Sequence, residues 1–453
     1  MDTTALEKAI AGEIWARPMT YSALVELCDQ VGARFAGSPG YARAVEWASE
    51  RLRQYGLVNI HTEPVEHLGW ERGEALVQVL GPHQAEFPAL ALPYSPVGEV
   101  EAELVDLGSA IPEAFAAQKE GLKGRHVLAT ADNPPFYPRT VHRTEKYARA
   151  VQAEASGFLF VGSELGQIIP TGSLAHGRAG EILGVGVSAE VGGTLQRWRA
   201  EGPLRLRLLV RGGGPRPALS HNVVAELPAG PGEESPLIIL CAHLDSHDIA
   251  PGADDNGSGV ISVLEAARAL VAAGARLPAR VRVVLFAAEE LGLLGAQAYV
   301  RSHAAELDRV RLVLNADVTG TPGKLFVALQ GCPELLSLIR EYARTADAEA
   351  QVVEHLVPYS DHFPFSLAGV ASVMVASFGG TGSRGFAHTS ADTLDKVSAV
   401  RLQATAMVLA RLVVRASLEG EWPGRRHTAE QVREMLTKGG LEEPLRLDGR
   451  WPF

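Results

Sequence analysis

The chain has 453 residues, 46% apolar and 21% charged, which is enough for about two to four domains with buried cores and unlike a disordered or peptide-sized protein. Forty-two Lys and Arg against 53 Asp and Glu give a net charge of −11 without long runs of one sign, which argues against the basic face of a nucleic-acid binder. Three widely separated cysteines, Cys28, Cys241 and Cys332, form no CxxC pair, which argues against a disulfide framework and a thiolate zinc site and leaves oxygen and nitrogen to hold any metal.

Residues 1–8 carry acids where a secretory signal would carry a basic run and an apolar core, and no stretch approaches the ~20 apolar residues of a membrane span. The reading therefore expects a soluble, cytoplasmic protein with no membrane partner. Leu24, Val25, Leu27 and Cys28 lie at helical spacing and predict a helix over 21–31, broken by Ala36-Gly37-Ser38-Pro39-Gly40. A second helix is predicted from Tyr41 to about Tyr55. From 97 to 217 short strands such as 126–129 and 157–161 flank a helical stretch at 141–155, which predicts a β-rich module inserted into a main domain of residues 1–96 and 218–420.

After Asn222 short apolar strands alternate with helices: strand 237–241, helix 257–274, strand 281–286, helix 291–303, and strands 310–314 and 371–376. This predicts an α/β fold, a mostly parallel sheet sandwiched by helices, with function at the carboxyl ends of its strands. In the tail, 421–453, Thr428-Ala-Glu-Gln431 resembles a capping box for one short helix ending near Gly439. An irregular stretch with Trp451 and Phe453 follows; docking on the parent domain is favoured over a homodimer contact.

Four strands each deliver a His, Asp or Glu to that one edge. His243 and Asp245 follow the first, Asp254 and Asp255 precede the next helix, Glu289 and Glu290 follow the second strand, Asp317 the third, and His388 lies after the fourth. A packed core has no structural use for so many acids, which repel and resist desolvation unless a cation joins them. Imidazole and carboxylate suit zinc, and two-metal hydrolases hold ions about 3.5–4 Å apart. Singly, each group has an ordinary reading: a capped histidine, an Asx turn at Asp254-Asp255, a solvated first helical turn at Glu289-Glu290. Their order along the chain, each at a strand end, favours chemistry.

In that order the residues resemble the co-catalytic zinc exopeptidases of peptidase family M28. The resemblance implies two Zn²⁺ per chain held by His243, Asp255, Glu290, Asp317 and His388, with Asp255 bridging, Asp245 orienting His243 and Glu289 as general base. Phe35-Ala-Gly-Ser-Pro39, Ala44-Val-Glu-Trp47, Gly69-Trp70-Glu71-Arg72-Gly73-Glu74, the insert and His243-Leu-Asp-Ser246 are similar to the carboxypeptidase Q branch, over about residues 20–418. There the insert is a protease-associated (PA) domain and the substrates are short peptides, notably dipeptides. The chain departs from that branch at His247, where an aromatic residue is usual, and in Gly382-Ser-Arg-Gly-Phe-Ala387 before the last metal histidine.

Asp392 has two readings, orienting a ligand or capping the helix near Ser398. Asp361 and His362 resemble a segment near the substrate cleft, and Arg384 is the candidate fork for a substrate carboxylate. The expected activity is aminopeptidase or dipeptidase cleavage of short peptides. Two alternatives are weighed against it: glutaminyl cyclisation on the same scaffold, disfavoured by the Asp254-Asp255-Asn256 setting, and a non-catalytic receptor relative, disfavoured because no ligand position is lost.

Overall fold

The computed structural model describes residues 3–135, 137–228, 231–378 and 385–453. The chain divides into two compact units. The first is Met1–Val65, Leu219–Ala387 and Asp392–Gly440; the second is Glu66–Ala218, His388–Ala391 and Leu441–Phe453.

The first unit is built on an eight-stranded sheet. Its strands run in the order Val58–Glu71, Gly214–Glu226, Arg280–Phe286, Leu237–His243, Val310–Ala316, Ser372–Phe378, Lys324–Gln330 and Gln351–Glu354. The four central strands are parallel. Leu237–His243 pairs with Arg280–Phe286 through His243↔Phe286 and with Val310–Ala316 through Cys241↔Asn315, and the last of these pairs with Ser372–Phe378. Antiparallel neighbours flank them at Gly214–Glu226 and Lys324–Gln330. Ile238, Ile239, Leu240, Val283, Val284, Leu312 and Val313 are fully buried, as runs covered on both faces require. Each such side chain contributes about 1.5–3 kcal/mol on leaving water, enough to carry an electrostatically costly edge.

Helix Gly259–Ala272 packs against Ala399–Leu418, whose first turn is capped by Ser398 Oγ accepting from Arg401 N at 3.3 Å. The predicted helix at 257 begins two residues later because Ala253–Ser258 form a wide π-type turn. Gly252 opens that turn at φ +58°, where a Cβ would stand 2.3 Å from Ser246 Cβ; only glycine fits. In the N-terminal region Thr20–Glu26 continues into a π turn to Val31, and Pro39–Gln54 forms the second expected helix.

The second unit is a closed barrel in the strand order Glu74–Leu80, Gln84–Ala91, Leu183–Val187, Gly157–Val161, His126–Thr130, Gly98–Asp106 and Arg205–Arg211. Leu92, Val127, Ala129, Phe158 and Leu174 belong to its core. Two barrel strands precede residue 97, because Val77 and Val79 face inward and Glu74–Leu80 pairs with Arg205–Arg211 along most of its length. The tail contains the capping-box helix Ala429–Lys438 in the first unit. Where irregular chain was expected, a further helix, Glu442–Leu447, lies in the second unit. Asp448 Oδ2 anchors it there, accepting from Thr144 Oγ1 at 3.2 Å and standing 3.2 Å from His176 Nε2. Among the described residues no helix is long and apolar enough to cross a membrane.

Candidate metal centre

The parallel strands end together, so the residues that follow them are forced into one neighbourhood. His243 ends its strand with Nδ1 donating to the Asp245 carbonyl at 3.1 Å and lying 3.6 Å from Asp245 Oδ1. That tautomer turns the Nε2 lone pair toward Asp255 Oδ1 at 3.3 Å and Asp317 Oδ1 at 3.5 Å. All three residues are buried, and one donor atom from each lies within 4.8 Å of the others. Edges of 3.3–3.5 Å are what a dication with ~2.1 Å bonds imposes on its ligands.

Asp245 does more than orient the imidazole. Its Oδ1 accepts from Glu289 N and its Oδ2 from Glu290 N, each at 3.1 Å, so one residue sets His243 through its carbonyl and the Glu-Glu turn through its carboxylate. Asn222 secures the start of that turn, accepting from Ala287 N at 3.0 Å and donating to Gly295 O at 3.0 Å. Glu290 is buried, and its Oε2 stands 2.9 Å from His247 Nε2.

Burial, then the charges of Glu290, Asp317 and Asp361, lift the Glu289 carboxyl well above the usual carboxylate range, against the opposing pull of His243. Burial resists protonation of His243, but Glu289 first, then Asp245, Asp255 and Asp317, drive its pKa well above the usual imidazole value. Asp361 is fully enclosed, both its oxygens lack a hydrogen-bond donor among the described residues, and burial with the charges of Asp245, Asp317 and Glu290 raises its pKa strongly. A largely buried set of six carboxylates around His243 and His247 calls for positive charge, and its donors are those zinc accepts. The residues fit the metal.

Several supports were invisible or ambiguous in the sequence. Asp392 accepts from Asp254 N at 2.7 Å and Asp255 N at 3.0 Å, which resolves its two readings: it clamps the loop that carries Asp255. Asp254 turns away to Gly320 N at 2.8 Å and to the Thr321 hydroxyl, fixing the chain after Asp317. Asn315 Nδ2 donates to Ser360 Oγ at 2.7 Å, and Ser360 Oγ donates to Asp317 Oδ2 at 2.5 Å, a relay that aims Asp317. Arg34 is fully buried 209 residues before His243. Its guanidinium donates to Leu244 O at 2.9 Å, Gly252 O at 3.0 Å and Pro251 O, bolting the 244–252 loop in place. No local pattern marks that arginine; only its burial reveals it.

Of the remaining predicted positions, His362 is fully enclosed, and burial lowers its pKa to about 4, so it is neutral. His388 has φ +60° and belongs by its backbone to the second unit, its carbonyl accepting from Thr171 N at 2.8 Å beside the Pro170↔Thr389 bridge. Arg384 lies outside the described residues.

Residues 222–413 match the sequence profile of Peptidase family M28. Carboxypeptidase Q of Xenopus laevis is 29% identical over 351 residues, 74% of this chain and 72% of that protein. Leucine aminopeptidase 2 of Arthroderma otae is 32% identical over 292 residues, 64% of this chain but only 55% of its own length. Among solved structures, a peptidase M28 precursor from Shewanella amazonensis superposes with a TM-score of 0.79 at 23% identity, covering 94% of this chain and all of that one. An aminopeptidase from Aneurinibacillus sp. strain AM-1 gives 0.69 at 24% identity, covering 93% and 98%. Residues 222–413 are a Peptidase family M28 domain, and by that domain the chain is a zinc metallo-exopeptidase.

Proposed function

We propose that the chain is a co-catalytic di-zinc exopeptidase that cleaves short peptides, of the aminopeptidase or dipeptidase type. The observation that carries this is Asp245, whose backbone carbonyl orients His243 toward Asp255 and Asp317 while its carboxylate holds both amides of the Glu289-Glu290 turn. On this reading His243, Asp255, Glu290, Asp317 and His388 would hold the two ions. When bound, the pair polarises the scissile carbonyl and acidifies a water toward neutral pH.

The chain's own residues do the rest. Glu289 is fixed through its backbone by Asp245, and its enclosed carboxyl holds a proton more readily than a free glutamate. It takes the proton from the attacking water and returns it to the leaving amine, one proton in and one out, so Glu289 is regenerated. Ser360 and Asn315 keep Asp317 in one orientation, so that Asp317 need not reorganise during turnover. Arg384 would receive a substrate carboxylate as a bidentate fork.

Glu289→Gln tests the reading. The variant should bind two zinc ions per chain and lose about 10²–10⁴-fold in turnover of a dipeptide panel headed by Leu, Met and Ser. Full activity in that variant, or one zinc per chain in the native protein, would overturn it.

A further inference from the structure

A second cluster of metal-ligating side chains stands apart from the site above. Cys332 Sγ lies 3.9 Å from His427 Nε2, which lies 3.9 Å from Glu334 Oε1, and the three donor atoms fall within 4.8 Å of one another. None of them is within five residues of a metal-centre residue in sequence. Cys332 follows the strand Lys324–Gln330, whose last residue pairs with Ser372, the first residue of Ser372–Phe378. Asp317 follows the far end of the parallel neighbour. The cluster therefore sits at the opposite edge of the sheet from His243.

As a hydrogen-bonded group it is poorly made. A thiol gains little from an imidazole at 3.9 Å, and 3.9 Å is the outer limit of an ion pair. As the ligand shell of a small dication it is nearly closed, since zinc bonds of ~2.3 Å to sulfur and ~2.0–2.1 Å to nitrogen or oxygen give tetrahedral edges of about 3.3–3.6 Å. The two edges through His427 exceed that by a few tenths of an ångström, and Glu334, the exposed member, is free to turn in toward the other two.

The other two donors stand on fixed backbone. Leu335 N donates to Cys332 O at 3.0 Å in the 3₁₀ turn Pro333–Leu335. His427 N donates to Gly369 O at 2.7 Å, and Gly369, at φ +79°, packs so closely that a Cβ there would stand 2.2 Å from His427 O. The capping box of Thr428 and Gln431 follows directly.

We propose that Cys332, Glu334 and His427 form a further metal site, a thiolate–imidazole–carboxylate clamp for a thiophilic dication such as Zn²⁺ or Cd²⁺ that fastens the segment after the long helix to the sheet. The fourth position is open to water. Binding breaks the Cys332 S–H bond, forms a sulfur–metal bond and releases the proton to solvent, leaving a thiolate-bound metal. Burial pushes the Cys332 thiol up to about 12, so hard ions such as Mg²⁺, which do not repay that deprotonation, are excluded.

The test is titration of the full chain with Co²⁺ and Cd²⁺ while following near-ultraviolet thiolate-to-metal charge transfer. The metal centre around His243 contains no cysteine ligand, so the band reports this clamp whether or not that centre holds two zinc ions. The expected result is a saturable band that Cys332→Ser abolishes and Cys241→Ser leaves intact. His427→Gln, at a partly exposed side chain, should weaken Cd²⁺ binding at least about tenfold in a chain of unchanged circular dichroism. No band in the native chain, an undiminished band in Cys332→Ser, or native Cd²⁺ affinity in His427→Gln would overturn the proposal.

Discussion

Glu145 of the barrel unit and Asp361 at the sheet edge are both fully enclosed carboxylates, and their surroundings are opposite in sign. Arg139 grips Glu145 with two bonds of 2.6 and 2.8 Å, and Arg149 adds two more at 2.8 and 3.1 Å. Asp361 meets the fields of Asp245, Asp317 and Glu290, with His243 the one opposing charge among its principal neighbours. The same chain thus neutralises a buried acid with arginine where it needs only a fold, and leaves acids uncompensated where a dication is to bind.

Removing the carboxylate at each place should give stability changes of opposite sign. Glu145→Gln strips two arginines of their partner and should destabilise the second unit by about 3 kcal/mol in urea unfolding. Asp361→Asn relieves repulsion and should stabilise the metal-free chain by about 2 kcal/mol, a gain that shrinks once zinc is loaded. A loss of stability in metal-free Asp361→Asn would break the comparison.

Asp245→Asn tests the support of the ligands. An amide can accept from one of the Glu289 and Glu290 amides but presents N–H to the other, so zinc affinity by chelator competition should fall about tenfold with the fold intact.

The smallest effect concerns the tail. Burial lowers His176 from 6.5 to about 4, while the paired Asp448 is held below the usual aspartate range by His176 and Arg450 against its own burial. The unfolded chain then binds more protons than the folded one, so anchorage of 441–453 is complete above pH 6.5 and declines toward pH 4, by about 1 kcal/mol one unit below 6.5. Hydrogen exchange of Glu442–Leu447 should accelerate over that window, and His176→Asn should flatten the dependence.

Much of the site was legible because strand and ligand are adjacent in sequence. An apolar run ending in His243-Leu-Asp245 or Glu289-Glu290 declares both a buried strand and what stands at its carboxyl end. The supports were not legible for the converse reason. Arg34, Ser360 and Asp392 act across 43 to 218 residues of chain, and each in its own segment reads as an ordinary polar residue. His247 could be read only as a departure from relatives; its contact with Glu290 depends on how the loop after Ser246 folds back.

The sequence by itself determined the α/β class, the parallel core and the chemical identity of the acids and histidines at its edge, since hydrophobic period and residue type are local properties. Tertiary structure alone decided which carboxylates gather at His243 and which hold backbone, separating Asp255 from Asp254 and giving Asp245 three partners. It also decided where a lone cysteine meets a histidine 95 residues away. Spacing along the chain carries no record of such encounters, because packing and loop geometry fix them only when the whole domain closes.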